Sequence, residues 1–187
     1  MKNNKIQIVA LFGPAGSGKD YLLNKILEKE ENLEEINGII SQTTRPPRDN
    51  EEDGINYYFK TVEQFKKDIE DNNLLEWTYF REWYYGTNLY ALDDDKINIG
   101  VFNVYGIRKL LDDPRVEVYP VAITASPKVR LIRQLTREAE PNIKEIFRRY
   151  DADEKDLSFI DFHYNIIRNE DNSSDGLIEL TNLINSL

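Results

Sequence analysis

The segment 13-GPAGSGKD-20 concentrates residue types that suit a bound phosphate. Gly13, Gly16 and Gly18 let backbone N–H groups turn inward, and a helix beginning directly after them adds the positive end of its dipole. Gly13, Pro14, Ala15, Gly16, Ser17 and Gly18 would form the cradle, with Lys19 reaching the outer phosphates. The next position departs from this pattern. A hydroxyl there ordinarily holds magnesium, whereas this chain has a carboxylate, Asp20. Magnesium takes hard oxygen ligands and keeps several waters, so Asp20 is expected to hold it directly or through water.

Two further groups of basic residues have the chemistry to grip phosphate. In 44-TRPPRD-49 the prolines bias Arg45 and Pro46 toward extended geometry with three residues per turn. Arg45 and Arg48 then face the same way about 9 Å apart. The planar guanidinium binds phosphate bidentately, which an ammonium cannot do. A solvated turn balanced by Asp49, Glu51, Glu52 and Asp53 fits the same residues. Between Lys128 and Arg149, seven basic residues (Lys128, Arg130, Arg133, Arg137, Lys144, Arg148, Arg149) stand against Glu138, Glu140 and Glu145, in a chain of net charge −10. A solvated helical face fits that surplus equally.

The elements that must position these groups are legible as hydrophobic patterns. Residues 6–12, IQIVALF, read as a buried strand, and after Gly18 a helix carries Leu22, Leu23, Ile26 and Leu27 on one side. Strand, glycine loop and helix thus follow in the order a phosphate cradle needs. Ile39 and Ile40 predict a second strand. Thr61 to Gln64 makes a capping box opening a short helix with Phe65 and Ile69 inside. Strands are predicted at 74–80, 100–105, 116–124 and 162–169. Helices are predicted at 106–111, after Ser126–Pro127, from Pro141, and at the end through Leu177, Ile178, Leu180, Leu183 and Ile184. Such alternation predicts an α/β fold, a parallel sheet covered on both faces. Tyr79, Trp83 and Tyr84 are expected in the core, and His163, the one histidine, in a structural role.

A chain of 187 residues suits one domain. Its negative charge disfavours nucleic acid and anionic membranes as partners. The absence of cysteine excludes disulfides, thiolate zinc sites and a cysteine nucleophile. IQIVALF runs straight into the glycine loop and makes a poor signal peptide, and no apolar run reaches membrane-spanning length. A cytoplasmic location is expected.

The run 41-SQTTRPPRDNEEDGINYYF-59 resembles the signature of guanylate kinases, S-x-T-T-R-x-P-R-x-x-E followed by G-x-x-Y. The segments 75-LEW-77 and 84-YYGT-87 follow in the same order and spacing, and the resemblance covers nearly the whole chain. It implies a P-loop three-layer α/β/α core with a central parallel sheet (1–44, 88–127 and 150–187), a small lobe for the nucleoside monophosphate (45–87) and a helical lid (128–149). It places ATP in the glycine loop, with Asn169 nearby, and the phosphate of GMP on Arg45, Arg48, Tyr57 and Tyr85, with Glu51 beside them. Ser41, Glu76 and Thr87 would read guanine, with Gly86 and Asn103 at the same site. Guanine offers two adjacent N–H donors to one carboxylate and adenine does not, so a buried Glu76 can discriminate steeply. Lys19, Arg45, Arg133 and Arg137 would be catalytic together with a third lid arginine. The apolar pattern around Ile146 favours Arg149 for that place, and counting from Arg137 favours Arg148.

The chain departs from the family where Val101 and Asn103 replace a D-x-D pair, and where 137-REA-139 replaces R-G-T. Asp20 is expected to restore anionic charge near the metal. The implied activity is transfer of the ATP γ-phosphoryl group to GMP or dGMP with Mg2+, by a monomer or homodimer. The alternatives are a broader deoxynucleotide or ribose bisphosphate kinase, and a non-catalytic phosphopeptide-binding domain of similar shape. That last class has typically lost the loop, whereas this chain keeps Lys19.

Overall fold

The computed structural model describes residues 5–29, 34–48, 51–137, 139–170 and 174–187. In chain order its elements are β1 (Ile6–Phe12), α1 (Lys19–Leu27), β2 (Ile36–Gly38), β3 (Gln42–Thr43), β4 (Tyr58–Phe59), α2 (Val62–Glu70), β5 (Leu74–Phe80) and β6 (Trp83–Asn88). After a 3-10 turn at Leu89–Ala91 come β7 (Ile97–Val101), α3 (Val104–Leu111), β8 (Val116–Thr124), α4 (Pro127–Thr136), α5 (Ile143–Leu157), β9 (Asn165–Arg168) and α6 (Asp175–Ile184).

The larger sheet is parallel throughout, in the order β2-β7-β1-β8-β9. Successive side chains on a strand point to opposite faces, so β1 feeds two cores at once. Ile8, Ala10 and Phe12 pack with Val104, Ile107 and Leu110 of α3 on one face. Val9 and Leu11 pack with Leu22 and Ile26 of α1 and with Leu180 and Ile184 of α6 on the other. Each such fully buried aliphatic side chain contributes about 1.5–3 kcal/mol. The result is a three-layer α/β/α arrangement.

A smaller sheet, in the order β4-β3-β6-β5, joins the core through Leu75, buried in the same cluster as Ile107 and Phe12. Its β5 and β6 form an antiparallel hairpin turning at Arg81–Glu82, and β3 pairs with both β4 and β6. The capping box of α2 forms as the sequence predicts: the Thr61 hydroxyl accepts the Gln64 amide (3.2 Å), and the Gln64 side chain accepts the Thr61 amide (2.9 Å). Phe65 of that helix is fully buried and stacks on Tyr84.

Several boundaries differ from the sequence reading. The smaller sheet takes Gln42, Thr43 and Asn88, which lie outside the 45–87 range of the expected lobe. The second strand is Ile36–Gly38 rather than Ile39–Ile40, although Ile39 still donates its amide to the Ile99 carbonyl at 2.8 Å. Strand β7 ends at Val101 and α3 starts at Val104, because the Asn103 side chain accepts the Gly106 amide (2.8 Å) and caps the helix. Helix α5 starts after Asn142, whose side chain accepts the Glu145 amide, and continues past the expected lid edge at 149. Tyr79 is 61% exposed instead of buried, since it occupies an outward position on β5. His163 is also exposed.

Candidate active site

The glycine loop joins the carboxyl end of β1 to α1. Gly16 and Gly18 have φ of 79° and 89°, the left-handed region that glycine adopts without steric cost. Space also opposes a side chain: at Gly16 a Cβ would lie 2.6 Å from the Arg130 carbonyl oxygen, and at Gly18 it would displace the Asn169 amide from the loop. The loop is braced from outside. Asn169 Nδ2 donates to the Ser17 carbonyl (2.9 Å), Arg133 Nη1 to the carbonyls of Gly16 (3.3 Å) and Ser17 (3.2 Å), and Arg130 Nε to that of Ala15 (3.0 Å). Lys19 folds over the loop, with Nζ donating to the Pro14 carbonyl at 3.2 Å. Desolvation lowers the Lys19 pKa, while the charges of Asp20 and Asp153 oppose that shift. Asp20 opens α1 with an exposed side chain.

Across the cleft, Arg45 and Arg48 converge as the proline-rich stretch predicts, both held by Glu51. Arg45 Nη2 lies 2.8 Å from Glu51 Oε2 and Arg48 Nη1 3.3 Å from Oε1, while the Arg48 amide donates to Oε2 at 3.0 Å. Burial pushes the Glu51 carboxyl up, but the Arg48 amide and both guanidiniums outweigh it and hold the carboxyl below its usual range. Arg45 also lies over the Tyr57 ring at 5.5 Å, and that ring meets Tyr85 edge to face. Burial lowers the Arg48 pKa, and the nearby charges of Arg45, Arg149 and Arg137 lower it further. Burial raises the Tyr57 pKa, and the charge of Asp20 pushes the same way. Arg48 and Tyr57 thus lie close enough to Asp20 on α1, to Arg137 and to Arg149 on α5 for their charges to act on one another.

Beside this cluster runs a polar chain from half-buried Ser41 to buried Thr87 and Glu76. Ser41 Oγ is 3.4 Å from Thr87 Oγ1, which donates to Glu76 Oε1 at 2.9 Å. Only 6% of Glu76 is exposed. Burial pushes its carboxyl up to about 7, against the lowering effect of the Thr87 hydrogen bond and the Lys109 charge. Gly86 leaves room for the Phe65 ring, whose nearest atom would be 3.0 Å from a Cβ there. Asn103 donates from Nδ2 to Thr78 Oγ1 (2.9 Å) while capping α3, so it ties that helix to the strand carrying Glu76.

The helical pair α4 and α5 carries the remaining arginines. Arg133 is committed to the loop, and Arg137 is exposed at the end of α4. Arg148 and Arg149 both hold Glu145, at 2.6 Å and 2.8 Å from their Nε atoms, and lower its pKa to about 2. Of the two, Arg149 is the one whose charge reaches Arg48. Three contributors escaped the sequence reading as site residues: Arg130, Arg81 and Asp153, whose Oδ2 accepts the Ala15 amide at 2.6 Å. Asp153 lies four residues after Arg149, on the same face of α5, which is the one local signal for it.

Among the described residues no group of three or more histidines or carboxylates is placed to hold a metal. Asp20, next to Lys19, is a single hard oxygen donor, which fits a magnesium ion held mainly by phosphate oxygens and water.

The guanylate kinase family model matches residues 5–187. A guanylate kinase of Campylobacter jejuni (strain RM1221) is 36% identical over 173 residues, covering 87% of this chain and 81% of the relative. One of Malacoplasma penetrans is 32% identical over 186 residues, covering 94% and 92%. The crystal structure of guanylate kinase from Anaplasma phagocytophilum superposes with a TM-score of 0.70 at 18% identity, covering 98% of this chain and 87% of that one, a likeness of fold.

Proposed function

Because the chain belongs to the guanylate kinase family, we propose that it transfers the γ-phosphoryl group of ATP to GMP or dGMP, yielding ADP and GDP or dGDP. The observation that carries this reading is the pairing of two anion-binding halves, Lys19 with its loop and Arg45 with Arg48, beside the buried Ser41–Thr87–Glu76 chain.

An oxygen of the acceptor monophosphate attacks the γ-phosphorus in line, and the bond to the β,γ-bridging oxygen breaks with its electron pair leaving on ADP. The second pKa of a phosphate monoester is about 6, so the attacking oxygen is mostly ionised at neutral pH and no general base is required. Arg45, Arg48, Tyr57 and Tyr85 hold the acceptor phosphate, and Glu51 fixes the two guanidiniums. Glu76 accepts the guanine N–H pair, Ser41 and Thr87 complete the recognition, and Gly86 and Asn103 shape the pocket. Lys19, Arg133, Arg137 and Arg149 offset charge on the transferring group, and Asn169 supports the loop that takes ATP. Asp20 would hold magnesium directly or through water, and the ion would supply charge neutralisation to the phosphates.

Residues 45–87 act as the acceptor lobe and 128–149 as a lid whose closure excludes water. No helix among the described residues is long and apolar enough to cross a membrane. The protein works in the cytoplasm on small-molecule substrates, without nucleic acid or membrane, as a monomer or homodimer. A coupled assay over GMP, dGMP, AMP, dTMP and CMP tests the reading. Expected is turnover of guanine monophosphates at least about 100-fold above the others. Comparable rates across several acceptors would establish a broader kinase, and absence of transfer to any would overturn the reading.

A further inference from the structure

Asp153 belongs to α5, yet its carboxylate sits on the glycine loop 138 positions away in sequence. The contact with the Ala15 amide is short, 2.6 Å, and two arginines steer it. Arg130 Nη2 lies 3.5 Å from Oδ2 and Arg81 Nη2 donates to Oδ1 at 3.2 Å, while Arg81 also reaches Asp156 Oδ2 at 2.6 Å. The Asp153 side chain is only 13% exposed. Gly13, Pro14, Arg81, Asn103, Asp153 and Asp156 line one small cavity between the loop and the smaller sheet.

Arg81 comes from the other half of the molecule. It and Glu82 form the two-residue turn of the β5–β6 hairpin, with φ of 50° and 71°. Turns of this kind favour asparagine and glycine, because both central residues must be left-handed. A non-glycine residue in this region carries a conformational cost that the surrounding contacts have to hold in place. Here that side chain spans from the hairpin carrying Glu76 and Tyr85 to the carboxylate on the phosphate loop.

One amide has one hydrogen. A carboxylate and a phosphate oxygen are both anionic acceptors, so they repel each other and cannot both take the Ala15 N–H. Resting on the reading that ATP places its phosphates in this loop, we infer that Asp153 is a built-in competitor of the donor phosphate, and that Arg81 links its displacement to the acceptor-side hairpin. When the phosphate enters, Asp153 leaves the Ala15 amide. Arg81 then loses one of its two carboxylate partners and keeps Asp156. The apparent affinity for ATP is reduced by the fraction of molecules in which Asp153 holds the amide.

The test is ATP binding by calorimetry, with magnesium and without acceptor, in the wild type, Asp153→Ala, Asp153→Asn, Arg81→Ala and the Arg81→Ala/Asp153→Ala double variant. Asp153→Ala is expected to bind about tenfold more tightly, which corresponds to a loop open about one-tenth of the time in the wild type. Asp153→Asn should bind more tightly by a smaller factor, which keeps the test valid if the alanine variant does not fold. Arg81→Ala should tighten binding as well, and the double variant should match Asp153→Ala alone, because both changes act through one carboxylate. Unchanged or weaker binding in the Asp153 variants overturns the competition. Full additivity of the Arg81 and Asp153 effects overturns the link to the hairpin. A wild type that binds no ATP overturns the kinase reading and the inference with it, whereas a wild type that binds beside variants that bind no better overturns the inference alone.

Discussion

Burial pushes the Glu76 carboxyl up to about 7, where its charge state changes within the working range of an enzyme. Only the ionised form accepts both guanine donors, so KM for GMP should fall as pH rises from about 6 to about 8. The acceptor phosphate also ionises near pH 6, but equally for every variant. The ratio of wild type to Glu76→Gln in kcat/KM therefore isolates the carboxyl, and that ratio should climb through about pH 7. Stability carries the opposite sign. The pKa in the folded state exceeds the ordinary value of 4.5, so the wild type has its full share of stability below about 4.5 and loses it as pH rises through about 7. Glu76→Gln escapes that loss, and its relative stability in urea should improve by about 3 kcal/mol between pH 4.5 and pH 8. Asp20 makes a separate prediction. With one carboxylate standing where a hydroxyl is usual, Asp20→Ala should raise the magnesium needed for half-maximal transfer several-fold, and Asp20→Ser should recover part of that deficit. A magnesium titration of the rate checks it, and identical curves for all three proteins would remove Asp20 from the metal.

The elements transmit these requirements. Asn103 caps α3 and holds it to Thr78, two residues along β5 from Glu76, while Gly106 in the first turn would place a Cβ 3.0 Å from Glu76 Oε2. Asn103→Ala should cost about 1 kcal/mol in stability from the lost cap. It should also raise KM for GMP more than it weakens ATP binding, because the start of the helix lies against Glu76 Oε2, whereas Asn103 only borders the cavity beside the loop. Asn103→Asp, which can also cap, should keep the stability; thermal unfolding and steady-state kinetics separate the two effects. Much of this level was legible in the chain. The apolar runs at 74–80 and 116–124 marked both strands to the residue, and the glycine spacing located the loop. The start of α3 was not legible, because 101-VFNVYG-106 is apolar in both periods and only a side-chain cap decides between strand and helix. Strand β6 was hidden because its aromatic residues read as generic core, and its turn has Arg81–Glu82 where a hairpin signal would show glycine or asparagine. Arg45 and Arg48 announced themselves by spacing. Asp153 did not, since its partner on the loop is brought to it only by the packing of α5.

At the scale of the molecule, the parallel sheet delivers the loop at the carboxyl end of β1, where open α/β sheets bind ligands. The smaller sheet and the α4–α5 pair then bring arginines to the same space from either side. An acidic chain of net charge −10 thus concentrates positive charge in one cleft. That concentration is unfavourable in itself, since Arg45, Arg149 and Arg137 all work against the charge on Arg48. Each anion placed among them relieves part of the repulsion, but two anions also repel each other, so cooperative stabilisation has to come from a closed arrangement in which Arg48, Arg137 and Arg149 gather around both ligands at once. A single ligand at about 100 times its dissociation constant adds about 2.7 kcal/mol. For a protein of this length that is about 5–11 °C in Tm. GMP with a non-hydrolysable ATP analogue and magnesium should then shift Tm by more than the sum of the separate shifts. Arg149→Ala should bring the combined shift back toward the sum, because it removes the charge through which α5 acts on Arg48. Differential scanning calorimetry of the four ligand states in both proteins decides the matter. Strict additivity in the wild type would mean that the α4–α5 arginines and the Arg45–Arg48 pair do not share a ligand.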